Sequence, residues 1–308
     1  MKTEYPKTQL EAIRYFADED KAHGFMVQMR WPNGVVCPLC GSDKVKFTKT
    51  AGEKPRRLWN CKGCKKQFTA KVGTIFEDSP IQFNKWLPAV WLAVNAKNGI
   101  SSCELSRALG VTQKSAWFML HRIRHALKVG NFEKLSGEIE ADETYIGGKP
   151  RIGTGYHKPG RGTKKIPVFG MVERGGNIHR RVVANVSGKT LKGAIKECVD
   201  KSATIMTDEW PAYRGIGRDF NGGHRFVNHG TKQYADGAVS TNTAESSFAI
   251  LKRGITGIFH AVSKKHLHRY VGEFDFRWNT RKINDGERTV LAVQGALGKR
   301  LDYKTLLA

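Results

Sequence analysis

The apolar residues of this chain keep a helical period in one stretch and a strand period in another. From about residue 79 to 128 they recur at helical spacing, through IQFNKWLPAVWLAV, then SSCELSRALG, then TQKSAWFMLHRIRHAL. From 137 onward strands alternate with helices. GEIEADETY, IPVFGMVERGG and NIHRRVVANV read as successive strands joined by turn-forming Gly and Asn. LKGAIKECVD reads as a helix, ATIMTD as a buried strand, FVNHG as a further short strand, and AESSFAILKRG and HLHRYVGEFDFRWNTR as helices. Residues 1–30 form a short amphipathic lead-in, and 31–75 are rich in Gly, Lys and Cys. The pattern therefore predicts a multidomain chain: a small segment at 31–75, an all-α module at 79–130 and an α/β domain at 137–300. No internal repeat is present.

The all-α module carries its own punctuation. Ser101 and Glu104 form a capping-box pattern, Gly110 ends that helix, and Thr112 caps the next. Ala116, Leu120, Ile123 and Leu127 fall on one face of the second helix. Helix, short Gly turn and helix is the helix-turn-helix layout. On that reading Gln113, Lys114 and Ser115 point toward bases, and Arg122 and Arg124 meet phosphates. The competing reading is an ordinary αα-hairpin in a helical core. Tyr270, Phe274 and Trp278 recur at helical spacing and fit core packing.

Charge sharpens the picture. The chain has 308 residues, with 52 Lys and Arg against 28 Asp and Glu, a net charge of +24. Such an excess predicts a polyanionic partner, because each neutralised phosphate releases a counterion. No basic amphipathic helix with a clean apolar face supports a membrane surface instead, and the longest apolar stretch is far short of a span. The charged N-terminus lacks the apolar run of a signal peptide, so a cytoplasmic protein is expected. Four of the six cysteines stand as CPLC and CKGC: Cys37, Cys40, Cys61 and Cys64, with twenty residues between the pairs. Four thiolates at this spacing predict a closed tetrahedral structural Zn²⁺ site that supplies folding energy to a small polar segment. Cys103 and Cys198 lie at apolar helical positions and read as buried thiols.

Three acids carry the candidate chemistry. Asp142 lies in GEIEADETYIGG, Asp208 in ATIMTDEWPAY, and Glu245 opens AESSFAILKRG, with Lys252 on the same helical face. Carboxylates gathered without a cation repel one another and raise their own pKa values, so such a set predicts Mg²⁺ or Mn²⁺. Paired divalent ions are what phosphodiester cleavage and transfer use, and Lys252 is placed to meet a neighbouring phosphate. Glu140 shares the face of Asp142 by strand alternation, as a supporting group. Glu143 points the other way and reads as a solvated charge. His229 either approaches the site or is structural. The basic, Gly-rich GGKPRIGTGYHKPGRGTKK reads as an arm touching phosphates; it contains no GxxxxGK[ST], and the chain has no G-x-S-x-G.

These segments resemble the bacterial insertion-sequence transposases with an N-terminal zinc ribbon and a DDE catalytic domain, the ISXO-like group. The resemblance is carried by CPLCGS with CKGCKKQFTAKVGTIFEDSPI, IEADETYIGGK, TDEWPAY and NTAESSFAILKRGITGIFHAVSKKHLHRYVGEFDFRWNTR, over about 30–282. It implies a ribonuclease-H-like mixed-sheet domain flanked by helices, with Asp142, Asp208 and Glu245 as the metal-binding acids. Asn242 matches the group's N-x-x-E pattern. It also implies binding to terminal inverted repeats and target DNA, strand cleavage and strand transfer, and a homodimer or higher oligomer on DNA. The rival expectations are a DNA-binding regulator with an inactive catalytic domain, which binds without cutting, and a ribonuclease-H-like nuclease, which cuts without joining.

Overall fold

The computed structural model describes residues 5–52, 55–128, 133–148, 165–227, 235–236 and 239–307. The basic arm and His229 lie outside the described residues. The chain forms two compact units, Met1–Lys128 with Lys282–Ala308, and Val129–Arg281. The C-terminal 27 residues, Lys282–Ala308, therefore group with the first unit, and the compact α/β unit stops at Arg281 rather than near 300. No described helix is long and apolar enough to cross a membrane.

In the first unit, α1 (Gln9–Ala17) and α2 (Glu19–Arg30) lead into a three-stranded antiparallel ribbon of β1 (Val45–Lys49), β2 (Arg57–Cys61) and β3 (Gln67–Phe68). Then follow α3 (Phe83–Asn95), α4 (Ser102–Leu109) and α5 (Gln113–Ala126). Helix α3 is the centre: Phe83, Trp86, Leu87, Ala89, Val90, Trp91, Ala93 and Val94 are all buried. Helices α1, α2 and α5 pack around it, as does α9 (Asp285–Gln294) from the C-terminal segment. Polar contacts fix α9 there: Asn95 donates to the Asp285 carbonyl at 3.2 Å, and Arg288 donates back to Asn95 at 2.9 Å.

The hinge between α4 and α5 forms as expected. Ser101 Oγ accepts from the Glu104 amide, Gly110 takes the left-handed conformation that ends α4, and Thr112 accepts from the Ser115 amide. Ala116, Leu120, Ile123 and Leu127 are buried. Cys103, expected to be a buried thiol, is exposed near the start of α4.

In the second unit, β4 (Glu138–Ile146), β5 (Ile166–Glu173) and β6 (Ile178–Val182) form an antiparallel meander. Helix α6 (Gly188–Cys198) follows, then β7 (Thr204–Asp208) and β8 (His224–Val227), both parallel to β4. The five strands lie in the order β6-β5-β4-β7-β8. Strand alternation divides the core in two. Ile139, Ala141, Phe169, Met171 and Ile205 pack with Leu191 and Ile195 of α6. On the opposite face Ile146 and Val168 meet Phe248 and Leu251 of α7 (Asn242–Gly254) and Leu267, Val271 and Phe274 of α8 (Lys264–Asn279). Tyr270 and Phe274 are buried and Trp278 packs on Val172 and Ile178, as their spacing predicted.

A buried ion pair bolts α8 to the sheet. Arg180 Nε donates to Asp275 Oδ1 at 2.6 Å, the Arg180 amide donates to Oδ2 at 2.9 Å, and the guanidinium also donates to the Ser247 carbonyl of α7. Burial pushes the Asp275 carboxyl up, and the Arg180 charge and hydrogen bonds oppose it. Removing one partner leaves the other buried and uncompensated. We expect Asp275→Ala to destabilise the α/β unit by about 3–5 kcal/mol, read from denaturant unfolding. A loss below about 1 kcal/mol would show that the pair is not integral to the packing.

Candidate functional site

A cluster of four cysteines and a group of acids stand in separate units. In the first, the Sγ atoms of Cys37, Cys40, Cys61 and Cys64 all lie within 4.8 Å of one another. Cys37 and Cys64 are 3.8 Å apart and Cys40 and Cys61 3.6 Å. These gaps are far longer than a disulfide, and thiolates about 2.3 Å from one tetrahedral ion stand about 3.8 Å apart. The set thus fits a zinc ribbon. Within the cluster the backbone amide of Cys64 lowers the Cys61 thiol, while hydrogen bonds with the other thiols raise Cys40, so the two share one titration. The ribbon leans on aromatic packing as well. Trp59 of β2 stacks on Phe68 and on His23 of α2, and Trp31 meets both ribbon rings edge-on. Burial holds the His23 imidazole down at about 4, so it is neutral near pH 7.

The second cluster is built on β4. Strands β4 and β7 pair in parallel, Glu140 beside Met206. The pairing ends there; carried two residues further, the same offset would bring Asp142 beside Asp208. Ile139, Ala141 and Ile205 face α6, so alternation turns Asp142 and Asp208 together to the opposite side, that of α7. Glu245 lies in the first turn of α7. The other two acids act on Asp142: its carboxyl is pushed up to about 7, first by burial, then by the charge of Glu143, and further by Asp208 and Glu245, against one amide bond from Glu143. Hard oxygens under mutual repulsion are the donor set that suits a divalent cation. Among the described residues their oxygens do not close to the cysteines' 4.8 Å. Lys252 is exposed two turns along α7.

Helix α7 approaches the sheet closely at this point. Gly170 is the β5 partner of Asp142, and a Cβ there would stand 2.8 Å from Phe248 Cζ. Glu140, fully buried, reaches the helix start: its Oε2 accepts the amides of Thr243 and Ala244 at 2.8 and 3.0 Å. Arg174 Nε holds the Oε1 atom of Glu140 at 2.7 Å. Sequence reading flagged Glu140 from alternation but missed Arg174, whose approach depends on the β4–β5 pairing. Glu143 corrects an expectation. It is half-buried rather than solvated, and accepts the hydroxyl of the buried Tyr213 at 2.6 Å. Cys198 is half-buried and accepts from Arg181.

In the helical hinge, Gln113 and Lys114 are exposed and Ser115 is half-buried. Gln113 donates to Ser102, and the Lys114 ammonium lies over the Tyr303 ring. Arg122 and Arg124 correct the expectation of phosphate contact: they are 4% and 2% exposed. Arg122 donates to the carbonyls of Leu301 and Glu77 at 2.9 and 2.8 Å, which turns it into the core of its unit.

The chain combines a cysteine ribbon with an acid-bearing mixed sheet. Residues 17–67 match the transposase zinc-ribbon domain, and 134–279 match the ISXO2-like transposase domain. The chain thus carries both a transposase zinc-ribbon domain and an ISXO2-like transposase domain. It is 28% identical over 277 residues to an uncharacterized protein in transposable element ISH50 of Halobacterium salinarum, over 86% of this chain and 92% of that one. Two solved structures are weakly similar. The Mos1 strand transfer complex matches at a TM-score of 0.23 and 13% identity, over 65% of this chain and 78% of that chain. The Mos1 transposase paired-end complex with left transposon end matches at 0.24 and 12%, over 95% and 99%. Neither likeness defines a fold or a site.

The close approach of α7 is testable by volume. Gly170→Val should drive branched carbon into Phe248 and Arg180, displace α7 and cost about 1–3 kcal/mol of stability, measured by chemical denaturation. Phe248→Leu in the same chain should recover part of that loss; no recovery would mean that the clash lies elsewhere.

Proposed function

We propose that this insertion-sequence transposase binds the terminal inverted repeats of its element and catalyses metal-dependent strand cleavage and strand transfer. The observation that carries the reading is the position of Asp142 and Asp208 on adjacent parallel strands, each two residues past the paired Glu140 and Met206, with Asp208 and Glu245 near enough to act electrically on Asp142. The strand order, with three antiparallel strands followed by two parallel ones, supports a ribonuclease-H-like fold. Asp142, Asp208 and Glu245 hold Mg²⁺ or Mn²⁺. When bound, such ions stabilise the attacking and leaving oxygens of a phosphodiester. Lys252, exposed on the helix of Glu245, meets an adjacent phosphate. The net charge of +24 supports DNA as the partner, and the two ends of an element call for a dimer or larger assembly on DNA. On this reading α4 and α5 form the helix-turn-helix, and Gln113, Lys114 and Ser115 at the start of α5 contact the end sequence. The protein works in the cytoplasm.

The test is cleavage and joining of a DNA fragment carrying the element's own terminal repeats, with purified protein and Mg²⁺. Asp142→Ala, Asp208→Ala and Glu245→Ala should each lower both steps by at least about a thousandfold while leaving repeat binding intact. Activity retained in Asp208→Ala would remove that residue from the site. Specific binding by the wild type with no cleavage in Mg²⁺ or Mn²⁺ would favour a regulator, and cleavage with no joined product a nuclease.

The cysteine set holds one structural Zn²⁺ in this reading. Purified protein should carry about one equivalent of zinc, and Cys37→Ser should lose it. Amide exchange should then accelerate across 31–75 while β4–β8 stay protected. A ribbon equally protected without metal would refute the structural role.

A further inference from the structure

We infer that Glu140 is a positioning residue for the acidic site: held by Arg174, it clamps the first turn of α7 to β4 and thereby sets where Glu245 stands relative to Asp142. The inference rests on the metal-site reading proposed above. As a carboxylate two residues from Asp142 and on the same face of β4, Glu140 looks like a fourth ligand. Its bonds say otherwise. Oε1 accepts from Arg174 Nε at 2.7 Å and from Thr243 Oγ1 at 3.0 Å, while Oε2 accepts from the amides of Thr243 and Ala244 at 2.8 and 3.0 Å. Both oxygens are thus doubly engaged and fully buried, leaving no lone pair directed at a cation.

The bonds land where the helix needs them. Thr241, the N-cap residue of α7, makes no side-chain cap bond. The first-turn amides are orphans unless something outside the helix accepts them, and a carboxylate at a helix N-terminus also meets the positive end of the dipole. Glu140 supplies that cap from another element. Glu245 follows Ala244 directly, so the clamped amide and the proposed ligand are neighbours in sequence. Arg174 secures the approach from the other side, donating to the carbonyl and hydroxyl of Ser240 just before the helix and to Glu138 on β4. Glu140 sits on the strand that carries Asp142, so one side chain ties the two proposed ligand-bearing elements together.

Mn²⁺ binding to the full chain, read by calorimetry and by manganese paramagnetic resonance without DNA, tests this. Glu140→Ala should weaken Mn²⁺ binding about tenfold, the size expected when a group that orients ligands is lost. In a Glu245→Ala background the same change should have no further effect, because Glu140 acts through Glu245. Amide exchange at Thr243 and Ala244 should rise in Glu140→Ala. If that variant does not fold, the isosteric Glu140→Gln is read in the same way, with a smaller loss. Unchanged Mn²⁺ affinity, or an equal loss in the Glu245→Ala background, overturns the inference; a lowered melting temperature alone marks a merely stabilising cap. Wild-type protein that binds no Mn²⁺, or Glu245→Ala that binds it fully, defeats the metal-site reading and the positioning role with it. Amide exchange separately reports whether the clamp exists.

Discussion

The α/β unit depends on a helix start that cannot cap itself. Helix α7 begins without a side-chain cap from its own N-cap residue, and its first amides go to Glu140 across the gap to β4. A buried carboxylate is costly unless its charge is met. Here Arg174 and the helix N-terminus meet it together, and the same bonds fix the helix on the sheet. Phe248 resting on the bare backbone of Gly170 sets how near α7 comes, and Arg180, reaching from β6 to Asp275 and to the Ser247 carbonyl, ties α7 and α8 to one strand. Position along the strand, distance from the sheet and the neighbouring helix are thus each held by a different kind of contact.

Strand period then assigns the chemistry. One face of β4 presents Ile139 and Ala141 to the α6 side, where Glu143 also turns, to Tyr213. The other presents Glu140 and Asp142 to α7. A register shift of one residue would exchange the two sets, burying Asp142 among Leu191 and Ile195 and turning Ile139 to the α7 side, so the apolar packing that stabilises the sheet also selects which acids face one another. The parallel pairing of β7 turns Asp208 to the same side because Ile205 occupies the α6 side in step with Ile139.

Much of this was legible in the sequence, and the parts that were not share a cause. Alternation in GEIEADETY located β4 and put Glu140 and Asp142 on one side; ATIMTD located β7; the CPLC and CKGC pairs located the ribbon. These signals are local. Arg122 and Arg124 were misjudged because a charged residue on a helix defaults to solvent, whereas the carbonyls that receive Arg122 come from Leu301 and Glu77, remote in sequence. The same holds for residues 282–308: Asn95 donates to the Asp285 carbonyl and accepts from Arg288, both remote in sequence, and no local pattern announces that α9 completes the packing around α3. Glu143 was misread because its partner, Tyr213, lies in a short 3₁₀ turn after β7, with no periodic signature.

Charge partnership separates structural acids from the candidate catalytic one. Asp275 has Arg180, Glu273 has Arg277 and Glu140 has Arg174, each of these carboxylates buried and each facing a guanidinium. Asp142 departs from that pattern: its large electrostatic influences are burial and the acids Glu143, Asp208 and Glu245, with one amide from Glu143 in its favour. A chain with 52 basic residues has no shortage of cations to place beside it. Among the described residues the neighbouring buried acids are paired and this one faces others of its own sign, an arrangement that costs stability and that a divalent cation would relieve. That contrast within one sheet, more than the presence of three acids, distinguishes the site from the ion pairs around it.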